Sequence, residues 1–257
     1  MSRIAEAFKK GKAFIPFITG GDPDMESTEE ILYALRDGGA DLIEIGIPFS
    51  DPIAEGPVIE AASERALKAG CTTDMLFELV SRIRQNIQIP ILFMTYYNPV
   101  FVYGAQRFTE RCVQCGIDGL IVPDLPFEER EELLEPCATS GLELISLIAP
   151  TSQERIANIA ESSSGFLYCV SSLGVTGVRG SLGNSARFMI DEVRKTSDIP
   201  CAVGFGVSTP EQARDISAYA DGIIVGSAIV RIIEEHGSDS AEYVKSYVSS
   251  MKEAMNR

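Results

Sequence analysis

The feature that most constrains this chain is a repeat of short apolar runs, each followed by a longer segment with helical periodicity. The runs are Ala13 to Ile18, Leu42 to Ile47, Ile91 to Met94, Gly119 to Val122, Leu144 to Ile148, Phe166 to Val170, Cys201 to Val203 and Gly222 to Val225. They have strand length and are apolar on both faces, which suits parallel strands covered on both sides rather than strands with one wet face. Between them, Ser27 to Arg36, Pro57 to Lys68, Glu128 to Leu134, Gln153 to Glu161, Glu211 to Ala218 and Ala241 to Met255 read as amphipathic helices. Eight such units at a spacing of roughly 30 residues predict an α/β fold, a (β/α)8 TIM barrel, with an open doubly wound sheet as the structural alternative. No Pro/Gly/Ser-rich linker interrupts the pattern, so residues 1–257 are expected to form one domain. Two further segments, Met1 to Lys10 and Thr73 to Arg84, are expected as extra helices that cap the barrel or pack on its outside.

Composition removes several function classes. A formal net charge of −15 with no basic run beyond Lys9-Lys10 argues against nucleic-acid binding. No apolar stretch reaches the length of about 18 residues expected of a spanning helix, and the first residues are charged, so a soluble cytoplasmic protein is expected. The six cysteines lie far apart, and Cys112-x-x-Cys115 stands without a second pair and with His236 as the one histidine, so neither a disulfide framework nor a metal site is expected. The lysines fall outside the inward strand faces, which leaves no candidate for Schiff-base chemistry.

In such a barrel the chemistry sits where the strands end and the loops begin. Strand alternation sends Leu42, Glu44 and Gly46 to one side and Ile43, Ile45 and Ile47 to the other, where β-branched residues suit packing on helices. Glu44 therefore points into the barrel. It is either a proton donor and acceptor with a raised pKa or the partner of an interior base, and no strand run carries such a base. Glu55 follows in a Pro/Gly-bounded loop, where it is either a second carboxylate facing Glu44 or a solvated loop charge. Tyr168 faces inward, as a site residue or a core tyrosine. The small-residue loop after it, with Thr176, Gly177 and Arg179, suits a lid. After the last two strands, Gly204-Phe205-Gly206 and Gly226-Ser227 offer backbone N–H groups and a helix start that could hold a phosphate, with Phe205 a possible ring contact; the alternative is that the glycines only permit tight turns.

The run from Glu44 to Pro57, EIGIPFSDPIAEGP, closely resembles the signature of the tryptophan synthase α subunit family. The resemblance extends over nearly the whole chain, through Pro16 to Pro23, Tyr96 to Pro99, Val122 to Pro126, Gly174 to Gly177, Gly204 to Gly206 and Gly226-Ser227. It implies a lyase of tryptophan biosynthesis that cleaves indole-3-glycerol phosphate by a retro-aldol reaction into indole and glyceraldehyde 3-phosphate. By resemblance, Glu44 is the general acid/base that protonates the indole ring carbon and handles the hydroxyl proton. Glu55 matches the carboxylate that stabilises positive charge on the ring nitrogen, and Tyr168 matches an assisting tyrosine. Gly177, Gly206, Gly226 and Ser227 match the phosphate cradle. Indole would pass to a β subunit in an α2β2 complex, with Pro52 and Asn98 on the docking surface. Pyridoxal phosphate would belong to that partner, and this chain would carry no cofactor.

The chain departs from the family pattern at position 55, where Glu replaces Asp, and at position 60, where Glu stands in place of a common Gln. The carboxylate at 55 is kept but displaced by one methylene, and misplacement by about 1 Å can cost on the order of 100-fold in rate. Two readings follow: an active lyase, or a catalytically weakened subunit that acts mainly as an allosteric activator of its β partner. Another phosphosugar barrel enzyme, such as an isomerase, is a remoter alternative.

Overall fold

The computed structural model describes residues 2–152, 155–170, 182–204 and 206–256, with the side chains of 182–184 outside the description. Eight parallel strands close into a barrel in chain order. They are β1 (Ala13–Thr19), β2 (Ile43–Gly46), β3 (Ile91–Met94), β4 (Gly119–Ile121), β5 (Glu143–Ile148), β6 (Leu167–Val170), β7 (Cys201–Gly204) and β8 (Gly222–Val225). The ring closes because β1 pairs with both β2 and β8, with Phe17 opposite Glu44 on one side and Pro16 opposite Val225 on the other. The open-sheet alternative is thereby excluded.

The surrounding helices are α1 (Arg3–Lys9), α2 (Met25–Asp37), α3 (Pro57–Lys68), α4 (Thr73–Ile83), α5 (Tyr97–Tyr103), α6 (Ala105–Cys115), α7 (Glu131–Ser140), α8 (Ile156–Glu161), α9 (Leu182–Val193), α10 (Pro210–Ser217), α11 (Ser227–His236) and α12 (Ala241–Met255). Their ends follow from local chemistry. The Asp24 side chain caps α2 at the Ser27 N–H, and Thr209 with Gln212 forms a capping box at α10. Gly116 and Gly141 end α6 and α7 in the left-handed conformation.

Alternation along the strands sorts the core as the sequence pattern requires. Leu42, Leu92, Met94, Ile121, Ile145, Phe166 and Tyr168 fill the barrel interior, while Ile43, Ile45, Ile47 and Phe93 pack outward against helices. The interior is thus solid, layered side chain rather than a pore. Helix α1 closes its lower end: Ile4 is wholly buried in the interior cluster and the Phe8 ring lies 5.3 Å from that of Phe166. Helix α4 lies on the outside, burying Leu76, Phe77, Val80 and Ile83.

The same end is fastened by a repeated device. Asp41, Asp118 and Asp221 lie just before β2, β4 and β8, and each accepts the N–H that opens the preceding strand: Phe14 at 2.7 Å, Ile91 at 2.8 Å and Cys201 at 2.9 Å. Each carboxylate also holds a cation, Lys252, Arg84 and Arg194 respectively. Side chains thereby tie neighbouring strands and the outer helices together at the end away from the chemistry.

Candidate active site

Glu44 sits in the middle of β2, between Phe17 of β1 and Leu92 of β3, and is wholly buried. Neither carboxyl oxygen finds a hydrogen-bond partner among the described residues. An uncompensated carboxylate in a low-dielectric interior is costly, so the neutral acid is favoured. Burial first, and then the charge of Glu55, push the Glu44 pKa up to about 8. The interior base that would have made Glu44 a structural ion pair is absent among the described residues.

Glu55 lies in the loop after β2 and is partly buried. Burial, with a further push from the Glu60 charge, raises its pKa to about 7. Two carboxyl groups that repel each other thus titrate near neutrality, a pairing suited to proton transfer in both directions. The loop is tethered by a residue that the sequence reading did not single out. The Tyr96 hydroxyl, at the end of β3, accepts the Ala54 N–H at 3.0 Å, next to Glu55 in the chain. Tyr96 is itself held by the Phe49 ring, with centroids 5.4 Å apart. Burial raises the Tyr96 pKa to about 12, so the phenol stays protonated. The available signal was the sequence run Tyr96 to Pro99 at a strand end, but nothing local tells which loop a tyrosine will reach.

Tyr168 faces inward from β6, as alternation requires, and is buried. Burial and the nearby Glu44 charge hold its hydroxyl well above the ordinary tyrosine range. Glycines at the strand ends make room for the rings. A Cβ on Gly204 would lie 2.5 Å from the Tyr168 ring, and one on Gly46 would lie 2.6 Å from the Phe17 ring. On Gly226 it would meet Phe17 at 3.2 Å. Phe17, Gly46 and Gly226 therefore meet at the same end of the barrel, and Phe17 is a second residue the sequence reading passed over, although the alternation Ala13, Ile15, Phe17 would have placed it inside.

Gly226 caps α11, which begins at Ser227. The N–H groups of Ser227 and Ala228 take no backbone or side-chain partner among the described residues, as at any open helix start. Gly206 has φ +83°, a conformation that a residue with a side chain rarely adopts. Pro52, on the loop after β2, is half-buried, and Asn98, in the first turn of α5, is exposed. Thr176, Gly177, Arg179 and Phe205 lie outside the described residues. Elsewhere, His236 stacks on Tyr243 with ring centroids 3.7 Å apart, and Cys112 and Cys115 are buried in the face of α6, where desolvation raises both thiol pKa values. Among the described residues no cluster of His, Cys, Asp and Glu is arranged to hold a metal, and no helix is long and apolar enough to cross a membrane.

Fold and site define a (β/α)8-barrel enzyme whose polar centre is a pair of carboxyl groups at the mouth of a closed, apolar barrel. The model of the tryptophan synthase alpha chain family matches residues 4–256, and the chain belongs to that family. It is 47% identical to the tryptophan synthase alpha chain of Thermoanaerobacter sp. (strain X514), over 99% of this chain and 100% of the relative. It is 43% identical to that of Lacticaseibacillus casei, over 100% and 96%. Among solved structures, tryptophan synthase subunit alpha from Legionella pneumophila superposes with a TM-score of 0.91 at 36% identity, covering 100% of this chain and 99% of the other. The tryptophan synthase complex from Pyrococcus furiosus matches with a TM-score of 0.85 at 37% identity, covering 95% and 99%. The family's reaction is the lyase step that splits indole-3-glycerol phosphate into indole and glyceraldehyde 3-phosphate.

Proposed function

We propose that Glu44 carries out the proton transfers of this cleavage in the present chain, supported by Glu55 and Tyr168. The observation that carries the reading is the Glu44 carboxyl: wholly buried, without a hydrogen-bond partner among the described residues, and with a pKa of about 8. At neutral pH it is mostly protonated, so it can deliver a proton to the indole ring carbon from which the glycerol phosphate side chain departs. The ionised form can then accept the proton of the side-chain hydroxyl as that carbon becomes the aldehyde. Ring protonation places positive charge on the ring nitrogen, which the proposed Glu55 carboxylate stabilises until the C–C electron pair returns to the ring and neutralises it; with a pKa of about 7 a large fraction of Glu55 is ionised when it is needed. Gly206, Gly226 and Ser227, with Gly177, are assigned to the substrate phosphate, for which the open N–H groups of α11 suit a dianion in an acidic chain. Phe205 is assigned to the indole ring, and Thr176 and Arg179 to the lid.

Protons and fixed dipoles supply this chemistry, so the chain is read as working without a cofactor of its own, in the cytoplasm and as one domain. Its partner is a β subunit that takes up the indole and carries pyridoxal phosphate. Exposed apolar side chains at the rim support that docking: Ile53 beside Pro52 is 80% exposed, and Phe101 and Val102, near Asn98, are 67% and 77% exposed. Single apolar residues are ordinary on a surface, but these three follow adjacent strands, Ile53 on the loop after β2 and Phe101 and Val102 on α5 after β3.

One feature favours a second reading, a weakened lyase that serves mainly to activate the β subunit: the longer side chain of Glu55. An indole-release assay with and without a β subunit separates the two. Wild type is expected to release indole, Glu44→Gln to lose at least 100-fold in rate, and Glu55→Asp to change the rate by less than tenfold. If Glu44→Gln keeps its rate, the assignment of Glu44 is wrong. A gain of 100-fold in Glu55→Asp would establish the weakened reading.

A further inference from the structure

Among the described residues, the apolar outer layer of the barrel is interrupted over β5. Helix α7 packs on α6, and α8 packs on α9, but between α7 and α8 the outward face of β5 is not sealed by apolar side chains. The apolar shell divides there, with Leu144 in one buried cluster and Ile148 in another. The outward residue between them is Ser146, whose registered neighbour on β6 is the buried, apolar Leu167. Over it lies a cavity of about 180 Å³, walled by Val122, Leu125, Phe127, Leu144 and Ile159.

The polar side chains that line this cavity, Arg130, Ser146, Ser152 and Arg155, are cations and hydroxyls. The Arg130 guanidinium stacks 4.0 Å over the Phe127 ring and reaches the Ser146 Oγ at 3.3 Å and the Ser162 carbonyl at 3.4 Å, both long bonds. A guanidinium has five N–H donors, so most of its capacity is unused among the described residues. No described carboxylate pairs with Arg130, and burial lowers its pKa with no acidic neighbour to offset the push. In a chain of 37 acidic and 22 basic residues, a partly buried cation without an acid is an unusual placement. The Ser163 Oγ lies 2.8 Å from that of Ser146, and the Ser152 side chain also lines the cavity. Across the rim, the 2.8 Å Glu128–Arg155 ion pair joins the turn before α7 to the start of α8.

We propose that this cleft binds a small organic carboxylate with an apolar body about the size of one ring. The guanidinium plane, fixed by Phe127, offers two parallel N–H donors to a carboxylate, the geometry in which Arg pairs most strongly. The apolar walls take the body, and a cavity well below the roughly 300 Å³ of drug-sized sites excludes larger ligands. The acid supplies the negative charge that the chain withholds. The site lies on the outside of β5, separate from the carboxyl pair inside the barrel.

The test is calorimetric titration of the full chain with benzoate, with its uncharged analogue benzamide, and with inorganic phosphate. Benzoate is expected to bind saturably at one site, benzamide at least tenfold more weakly, and phosphate is expected not to displace bound benzoate. Arg130→Gln is expected to weaken benzoate at least tenfold while keeping indole release, and Ser146→Ile, which fills the floor, to do the same. Glu44→Gln is expected to leave benzoate binding unchanged, which separates this cleft from the barrel interior. The proposal is overturned if benzoate does not saturate, if it binds Arg130→Gln or benzamide binds wild type as tightly as benzoate binds wild type, or if phosphate displaces bound benzoate. If Arg130→Gln fails to fold, unaltered benzoate binding in Ser146→Ile overturns it alone.

Discussion

Glu44 and Glu55 are both carboxyl groups whose environment favours the neutral form, and this has a consequence for stability. A group whose folded pKa is raised is protonated in the fold while already ionised in the unfolded chain. Stability contributed by that difference is full below the unfolded pKa and falls as pH rises through the window up to the folded pKa. For Glu44 the window runs from 4.5 to about 8. Glu44→Gln replaces the acid by a neutral group of the same shape, so it should match wild type near pH 4.5 and be increasingly more stable towards pH 8. Thermal unfolding across that range checks this, and a gap that shrinks with rising pH would contradict the buried, unpaired state. Alternation alone placed Glu44 and Tyr168 inside. The strand runs hold no base to pair with Glu44, but that neither carboxyl oxygen meets any hydrogen-bonding group among the described residues depends on what the other seven strands bring to the same layer.

The loop from Gly46 to Pro57 was legible as the element carrying chemistry, but not how it is held. Its tether is the Ala54 N–H on the Tyr96 hydroxyl, a bond between loops of adjacent strands. Tyr96→Phe removes the acceptor and should cost only about 1 kcal/mol of stability, while letting the neighbouring Glu55 drift. The expected kinetic signature is a fall in kcat of about tenfold with KM little changed, since misplacement of a group by a fraction of an ångström is costly to the reaction. Unchanged kcat in steady-state assays would remove Tyr96 from the positioning of Glu55. Other elements show the limits of pattern reading in the same way. The expected helix from Glu128 to Leu134 is a 3-10 turn (Phe127–Glu129) followed by α7, which continues to Ser140 past Pro136. Proline reads locally as a stop, yet Leu133 and Cys137 are buried on one face, and that packing carries the helix through.

For the whole molecule, the barrel separates fastening from chemistry. Asp41, Asp118 and Asp221 bind strand N–H groups and cations at one end, and the carboxyl pair sits at the other. Asp118 is nearly buried and holds Arg84, Arg3 and the Ile91 N–H together. Asp118→Ala leaves Arg84 partly buried without its counter-charge and should cost about 3 kcal/mol, measured by denaturant unfolding. The altered protein, where still folded, should keep its kcat. A stability loss below 1 kcal/mol would show that the clamp is not a fastening point.

What the sequence determined by itself was what depends on local periodicity: eight strands, the faces of β2 and β6, the main helices, and the inward side chains Glu44 and Tyr168. The family signature added roles for particular residues. Only the tertiary structure decided which distant groups meet: Tyr96 with the Glu55 loop, three aspartates with the cations that close the barrel, and Arg130 with an outward serine in a gap between helices. The physical reason is that side-chain direction is set by neighbouring backbone angles, whereas pKa, pairing and cavities are set by what arrives through space from other strands.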